Sequence, residues 1–129
     1  MVEGFCHVWF STKRRKQALE GELGDDVRQL LIDIAQRARI QLLEAEMADD
    51  HVHLLVALSG AQTLSSAMHQ LKGASARFLF LKYPELKADT GHSSFWQKGY
   101  GWRKIEAAEA PAVKYYIRTQ HNRPQRHAG

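Results

Sequence analysis

Residues 50–56 read Asp-His-Val-His-Leu-Leu-Val, and no other run restricts the fold of this chain as much. β-branched and leucine side chains dominate it, so it reads as a strand, on which residues two apart share a face. His51 and His53 then lie side by side, while Val52, Leu54 and Val56 supply an apolar opposite face. Two imidazoles so placed can grip one divalent ion. They can equally be a hydrogen-bonded surface pair, because a metal site needs at least a third ligand.

The flanking segments define what this strand pairs with. Residues 40–47 read as another strand, with Leu43, Ala45 and Met47 toward the core and Leu42, Glu44 and Glu46 on a solvated side. Only Ala48, Asp49 and Asp50 separate the two, which predicts an antiparallel hairpin. Residues 5–11 alternate, with Cys6, Val8 and Phe10 forming the better core face and Phe5, His7, Trp9 and Ser11 the other. After a loop marked by Gly21 and Gly24, the stripe Val27, Leu30, Leu31, Ile34, Ala38 predicts an amphipathic helix over residues 25–39. A longer helical pattern covers residues 63–83, with Leu64, Ala67, Met68, Leu71, Ala74, Phe78 and Leu81 inward and Thr63 or Ser65 as cap. Gly73 inside it costs about 1 kcal/mol relative to alanine, which points to a close approach by another helix or by a nucleic-acid backbone. Aromatic residues 95–105 read as a fourth strand with a bulge at Gly99 and Gly101, and Pro111 opens a last helix reaching about His121.

The order strand, helix, strand, strand, helix, strand is the split βαβ pattern. It predicts an α+β, ferredoxin-like (RRM-like) antiparallel sheet with helices on one face, plus a C-terminal helix. The other face is then open, with His7, Trp9, His51 and His53 emerging on it. At 129 residues the chain fits a single domain, residues 1–129, able to bury one core without a disulfide. Cys6 is the only cysteine, which rules out an intrachain disulfide and a thiolate zinc cluster. No run approaches the about 18 apolar residues of a membrane span, and the start lacks the form of a signal peptide, so the expected location is the cytoplasm, with no membrane partner. The net charge of +4 suits a polyanionic partner without requiring one.

On the last helix Tyr116 and Gln120 are four residues apart and share a face. An amide oxygen and a phenol stacked in this way can serve a metal site together; they can also be a buried tyrosine and a surface glutamine. Tyr115 lies about 100° further round the helix.

Five stretches, in order, resemble the single-tyrosine HUH transposases of small insertion sequences that move as single-stranded DNA. His7-Val8-Trp9-Phe10-Ser11-Thr12-Lys13-Arg14-Arg15 is similar to the family's opening strand and Thr-Lys-x-Arg turn, and Asp50-His51-Val52-His53-Leu54-Leu55-Val56 matches its Asp-His-Val-His-Leu-Leu motif. Leu71-Lys72-Gly73-Ala74-Ser75, Phe95-Trp96 with Gly99-Tyr100, and Tyr116-Ile117-x-x-Gln120 resemble the Leu-Lys-Gly-x-Ser helix, the Phe-Trp-x-x-Gly-Tyr stretch and the catalytic Tyr-Ile-x-x-Gln.

The resemblance implies that His51, His53 and Gln120 bind Mg²⁺ or Mn²⁺ and that Tyr116 attacks the scissile phosphate of single-stranded or hairpin DNA. It also implies a homodimer in which the tyrosine helix of one subunit completes the site of the other. Asp50 is a candidate for orienting an imidazole from behind. Candidate DNA contacts are Lys13, Arg14, Arg15, Lys72, Arg77, Arg103, Lys104, Lys114 and Arg118, with Trp9 and Trp102 as stacking platforms. Two rival readings share these residues: a domesticated, non-catalytic nucleic-acid-binding protein of the same fold, and a metal-binding regulatory domain without a DNA partner.

Overall fold

The alternation of residues 5–11 becomes the strand β1 (Val2–Ser11) in the computed structural model, which describes residues 2–13, 19, 21–59, 62–89 and 95–119. It is followed by α1 (Gly21–Arg37), β2 (Gln41–Met47), β3 (His51–Ser59), α2 (Leu64–Lys82), α3 (Leu86–Asp89), β4 (Gly101–Ile105), a 3₁₀ turn (Ala107–Glu109) and α4 (Ala110–Arg118). The strands form one antiparallel sheet in the order β2-β3-β1-β4, the α+β, ferredoxin-like arrangement expected from the sequence. Among the described residues, no helix is long and apolar enough to cross a membrane.

Strand alternation sorts the side chains into two cores. Cys6, Val8, Phe10, Val52, Leu54 and Val56 form one face, buried together with Val27, Leu31 and Ile34 of α1 and Ala67, Met68 and Leu71 of α2. On the opposite face Leu55, Ile105, Val113 and Ile117 make a smaller cluster, flanked by Phe5 and Leu43. That face is therefore not open along its whole width: α4 packs across β2 and β3. β3 is accordingly buried on both faces over residues 52–57.

Several local expectations are corrected, each for an identifiable reason. α1 starts at Gly21 because Leu19, itself buried, tucks under the first turns; a Cβ on Gly24 would lie 2.2 Å from the Leu19 carbonyl oxygen. In β2 the register shifts between Leu42 and Glu44. This bulge turns Leu42 into the main core and Leu43 into the α4 cluster, the reverse of a regular alternation. Thr63 caps α2 by accepting from the Ser66 amide (3.1 Å), but the inward stripe continues through Ser75 and Leu79 in steps of four, leaving Phe78 and Leu81 exposed. Nothing lies within 4 Å of a Cβ built on Gly73, so no group of the described chain approaches there. Residues 95 and 96 are core side chains ahead of β4 rather than part of it, with Trp96 bridged to Thr12 outside the named strands.

At nine residues α4 is too short to hold itself in water, so packing fixes it. The 3₁₀ turn that leads into it carries a capping box in which the Glu106 amide donates to Glu109 Oε1 (3.0 Å), and Pro111 occupies the first turn of α4. Val113 and Ile117 face the sheet, and Arg118 donates to Glu44 Oε2 through Nε (3.3 Å) and Nη2 (3.1 Å). Ile117→Ala is expected to cost about 2–4 kcal/mol in denaturant unfolding, with hydrogen exchange accelerated in α4 before the sheet. Equal acceleration in α4 and β3 would show instead that the helix does not open as a separate unit.

Candidate active site

The hydrogen-bonded pairing of β1 with β3 sets His53 opposite Trp9 and His51 opposite Ser11, so the face-sharing histidines of both strands meet. His51 Nε2 lies 3.0 Å from His53 Nε2, and His53 Nδ1 lies 3.1 Å from His7 Nε2. At the other end of this row, Asp50 Oδ1 accepts from His51 Nδ1 at 2.8 Å. The carboxylate fixes the tautomer of His51, leaving a lone pair on Nε2. Asp50 is itself held by the turn after β1, where the Thr12 amide (2.8 Å) and Thr12 Oγ1 (3.2 Å) both donate to its carbonyl.

Burial keeps the inner rings uncharged. His53 is lowered to about 3, first by desolvation and then by His51 and His7; His7 is lowered by burial and then by Arg103. Neutral imidazoles are what a cation requires of its ligands. With the His53 proton on Nδ1, shared with His7, both Nε2 atoms carry lone pairs, and their 3.0 Å separation is that of two neighbouring ligand atoms each about 2.1 Å from an octahedral ion. Among the described residues, no group of three or more His, Cys, Asp or Glu is arranged to hold a metal. Gln120 lies outside the described residues, as do Arg14 and Arg15.

Tyr116 closes the arrangement. Because Val113 and Ile117 are buried against the sheet, the next position round the helix looks along the sheet surface toward the histidines. The Tyr116 ring centroid is 6.1 Å from that of His7 and 6.3 Å from that of His53, with both pairs edge-to-face. Tyr115 is 68% exposed and Tyr116 41%, so only the latter turns partly inward. Between α4 and the histidine row lies a cavity of about 600 Å³, walled also by Trp9 and Arg103. The tyrosine stands over the histidines of its own chain. It is held there by the burial of Val113 and Ile117 against Leu55 and Ile105 of the same sheet.

A model of the family described as "Transposase IS200 like" matches residues 3–120. The chain belongs to the IS200-like transposase family. It is 32% identical over 117 residues to the ISDra2 transposase TnpA of Deinococcus radiodurans, covering 91% of this chain and 84% of that protein. It is 34% identical over 94 residues to the transposase of insertion sequence element IS200 from Salmonella typhimurium, covering 73% and 62%. Its fold matches a crystal structure from Deinococcus radiodurans R1 assigned as a transposase, with TM-score 0.73, 31% identity and coverage of 91% and 90%. It also matches a REP-associated tyrosine transposase bound to a REP hairpin, with TM-score 0.64, 16% identity and coverage of 92% and 67%.

In this IS200-like transposase several basic residues have partners inside the chain. Lys72 donates to the carbonyls of Gln97 and Gly99 and lies 5.5 Å from the Phe10 ring centroid, while the Trp96 indole donates to the buried Ser75 hydroxyl (2.9 Å). The Leu-Lys-Gly-x-Ser and Phe-Trp-x-x-Gly-Tyr stretches therefore dock onto each other. Arg118 ties α4 to Glu44. Arg77 sits on α2, in the helix layer away from the cavity, and Lys104 and Trp102 pair with Cys6 and Val8, on the helix-covered face. Arg103, opposite His7, is on the cavity face, and Lys13 lines a separate groove beside Lys72. Glu44 and Glu46, expected on a solvated face, are 9% and 8% exposed, because Arg118 covers the first and Arg28 of α1 reaches the second at 3.8 Å. The sequence put His7 on the same open face as His51 and His53 but gave it no role; the adjacency of β1 and β3 is what brings it to His53.

The lowered His53 has a pH signature. A histidine near 6.5 in the unfolded chain and near 3 in the folded one binds its proton only on unfolding, so its contribution is complete above pH 6.5 and is lost as pH falls toward 3. Unfolding free energy measured from pH 7 to pH 4 is expected to fall more steeply in the metal-free wild type than in His53→Leu. Parallel slopes would mean that the ring takes up a proton while folded.

Proposed function

We propose that this chain cleaves and rejoins single-stranded DNA at hairpin-bearing element ends through a 5′-phosphotyrosine on Tyr116, using a divalent cation, Mg²⁺ or Mn²⁺. The observation that carries this reading is the juxtaposition of the Tyr116 ring, about 6 Å from His53, with two converging Nε2 atoms. His51 and His53 would hold the cation, with Gln120 as the third ligand implied by the family motif. Asp50 and His7 back the two imidazoles from behind.

When bound, the cation supplies charge neutralisation at a non-bridging phosphate oxygen. A protonated phenol is a poor nucleophile, and that of Tyr116 would gain competence from its position at the phosphorus. Its oxygen forms the new P–O bond and loses its proton, the bond to the 3′ oxygen breaks, and that oxygen leaves protonated as a 3′-hydroxyl. The ester conserves the bond energy, so attack by a 3′-hydroxyl reverses the step without ATP. Arg103, on the cavity wall, would meet phosphate, and Lys13, in the groove beside Lys72, would add a second contact, with Arg14 and Arg15 as further candidates from the sequence alone.

The REP hairpin bound by the REP-associated transposase supports hairpin DNA as substrate class here. A homodimer, with the tyrosine helix of one subunit completing the site of the other, belongs to the proposal through the family resemblance. Incubated with single-stranded hairpin DNA from the gene's flanks and Mn²⁺, the protein is expected to form an SDS-stable DNA adduct. The adduct should be absent in Tyr116→Phe and reduced at least about 100-fold in His53→Ala or with EDTA. An undiminished adduct in Tyr116→Phe would sink the nucleophile assignment.

A further inference from the structure

The reaction above makes no use of Trp9, yet this side chain is set into the same cavity wall as Tyr116. Trp9 pairs across β1 and β4 with Gly101. A Cβ at position 101 would lie 2.1 Å from the indole Nε1 and 2.3 Å from Cε2, so the ring rests on bare backbone that only glycine provides. Its flank meets His7, with centroids 5.1 Å apart and planes at 61°. The ring is thus fixed on two sides.

Covering a strand glycine is a packing role that many aromatic residues perform. It does not account for the rest of the ring, which leaves Trp9 37% exposed. The indole lines both the large cavity and a second one of about 190 Å³ that Gln97 and Tyr100 also line. On the large-cavity side, Arg103 lies two residues from Gly101 on the same face of β4, adjacent to His7. A rigid π surface, a guanidinium and a phenol therefore share one chamber.

A nucleotide offers a π face and an anion, the two chemistries that this wall receives. In a duplex both faces of a base are covered by its neighbours, so only an unstacked base can lie on the indole. We propose that Trp9, seated on Gly101, is the platform on which the unpaired base flanking the scissile phosphate stacks. The inference rests on the Tyr116 reading above and adds to it the group that selects an unstacked nucleotide.

The test uses full-length protein carrying Tyr116→Phe, which binds without cleaving, and the hairpin oligonucleotide of the adduct assay. 2-Aminopurine replaces the base on one side, then the other, of the phosphotyrosyl junction mapped with wild type. Binding is expected to quench the probe strongly at one of the two positions. Trp9→Ala should abolish that quenching and weaken binding about 10- to 100-fold, and Trp9→Phe should retain part of both. Gly101→Ala should reproduce the Trp9→Ala result with the indole still present, because the new Cβ displaces it. Phe78→Ala, an exposed aromatic on α2 away from this cavity, should change neither. Thermal melting identifies any variant that fails to fold; Trp9→Leu, which keeps apolar cover over Gly101, then carries the same expectation as Trp9→Ala. Quenching and affinity that persist in Trp9→Ala or Trp9→Leu, alongside a normal wild-type adduct, would overturn the platform and leave the Tyr116 reading intact. Failure of wild type to form any adduct would overturn the Tyr116 reading, and the platform with it.

Discussion

A row of close polar contacts across two central strands, from Asp50 through His51 and His53 to His7, is the feature on which the rest of this molecule converges. No single strand could build it. His51 and His53 share a face because they are two apart on β3, and His7 joins them because β1 is the neighbour of β3. The carboxylate at one end and the buried imidazole at the other orient two ring nitrogens toward the same point. Burial keeps His7 and His53 neutral, so the arrangement needs no deprotonation before it can accept a cation.

The two faces of the sheet divide the labour. The α1 and α2 side holds the larger core, and its contacts extend to the motif residues Lys72, Ser75 and Trp96, which fasten the segment ahead of β4 to α2. The α4 side buries far less: Val113, Ile117 and the Arg118–Glu44 ion pair hold a nine-residue helix. A helix anchored by so few side chains sits at the low-stability end of a fold, where substrate-handling elements are commonly found. Its anchor residues set the direction of Tyr116, because the position beside a buried Ile117 can only look along the sheet.

Much of this was legible in the sequence, for reasons that differ by residue. The periodicity of residues 5–11, 50–56 and 63–83 marks strands and a helix because one face of each meets a core, and their order specifies the sheet. The partnership of Tyr116 with the histidines was legible through the family motifs and not through spacing. What periodicity could not convey were features made by two elements at once. The β2 bulge exchanges Leu42 and Leu43 to feed two cores, Leu19 draws α1 back to Gly21, and the close seat of Trp9 on Gly101 exists only in the β1–β4 register. Charge was the least legible property. Glu44 and Glu46 read as solvent-facing, yet Arg118 and Arg28 reach over them, and Lys72 directs its ammonium to backbone carbonyls.

The central claim is that the Nε2 atoms of His51 and His53 converge on one cation. Pulsed EPR of the Mn²⁺-loaded protein with ¹⁵N-labelled histidine reads those bonds directly. The account predicts coupling to two imidazole nitrogens, one lost in His51→Ala and one in His53→Ala, with both retained in Tyr116→Phe. A Mn²⁺ signal without imidazole nitrogen coupling, or one unchanged in His53→Ala, would contradict it.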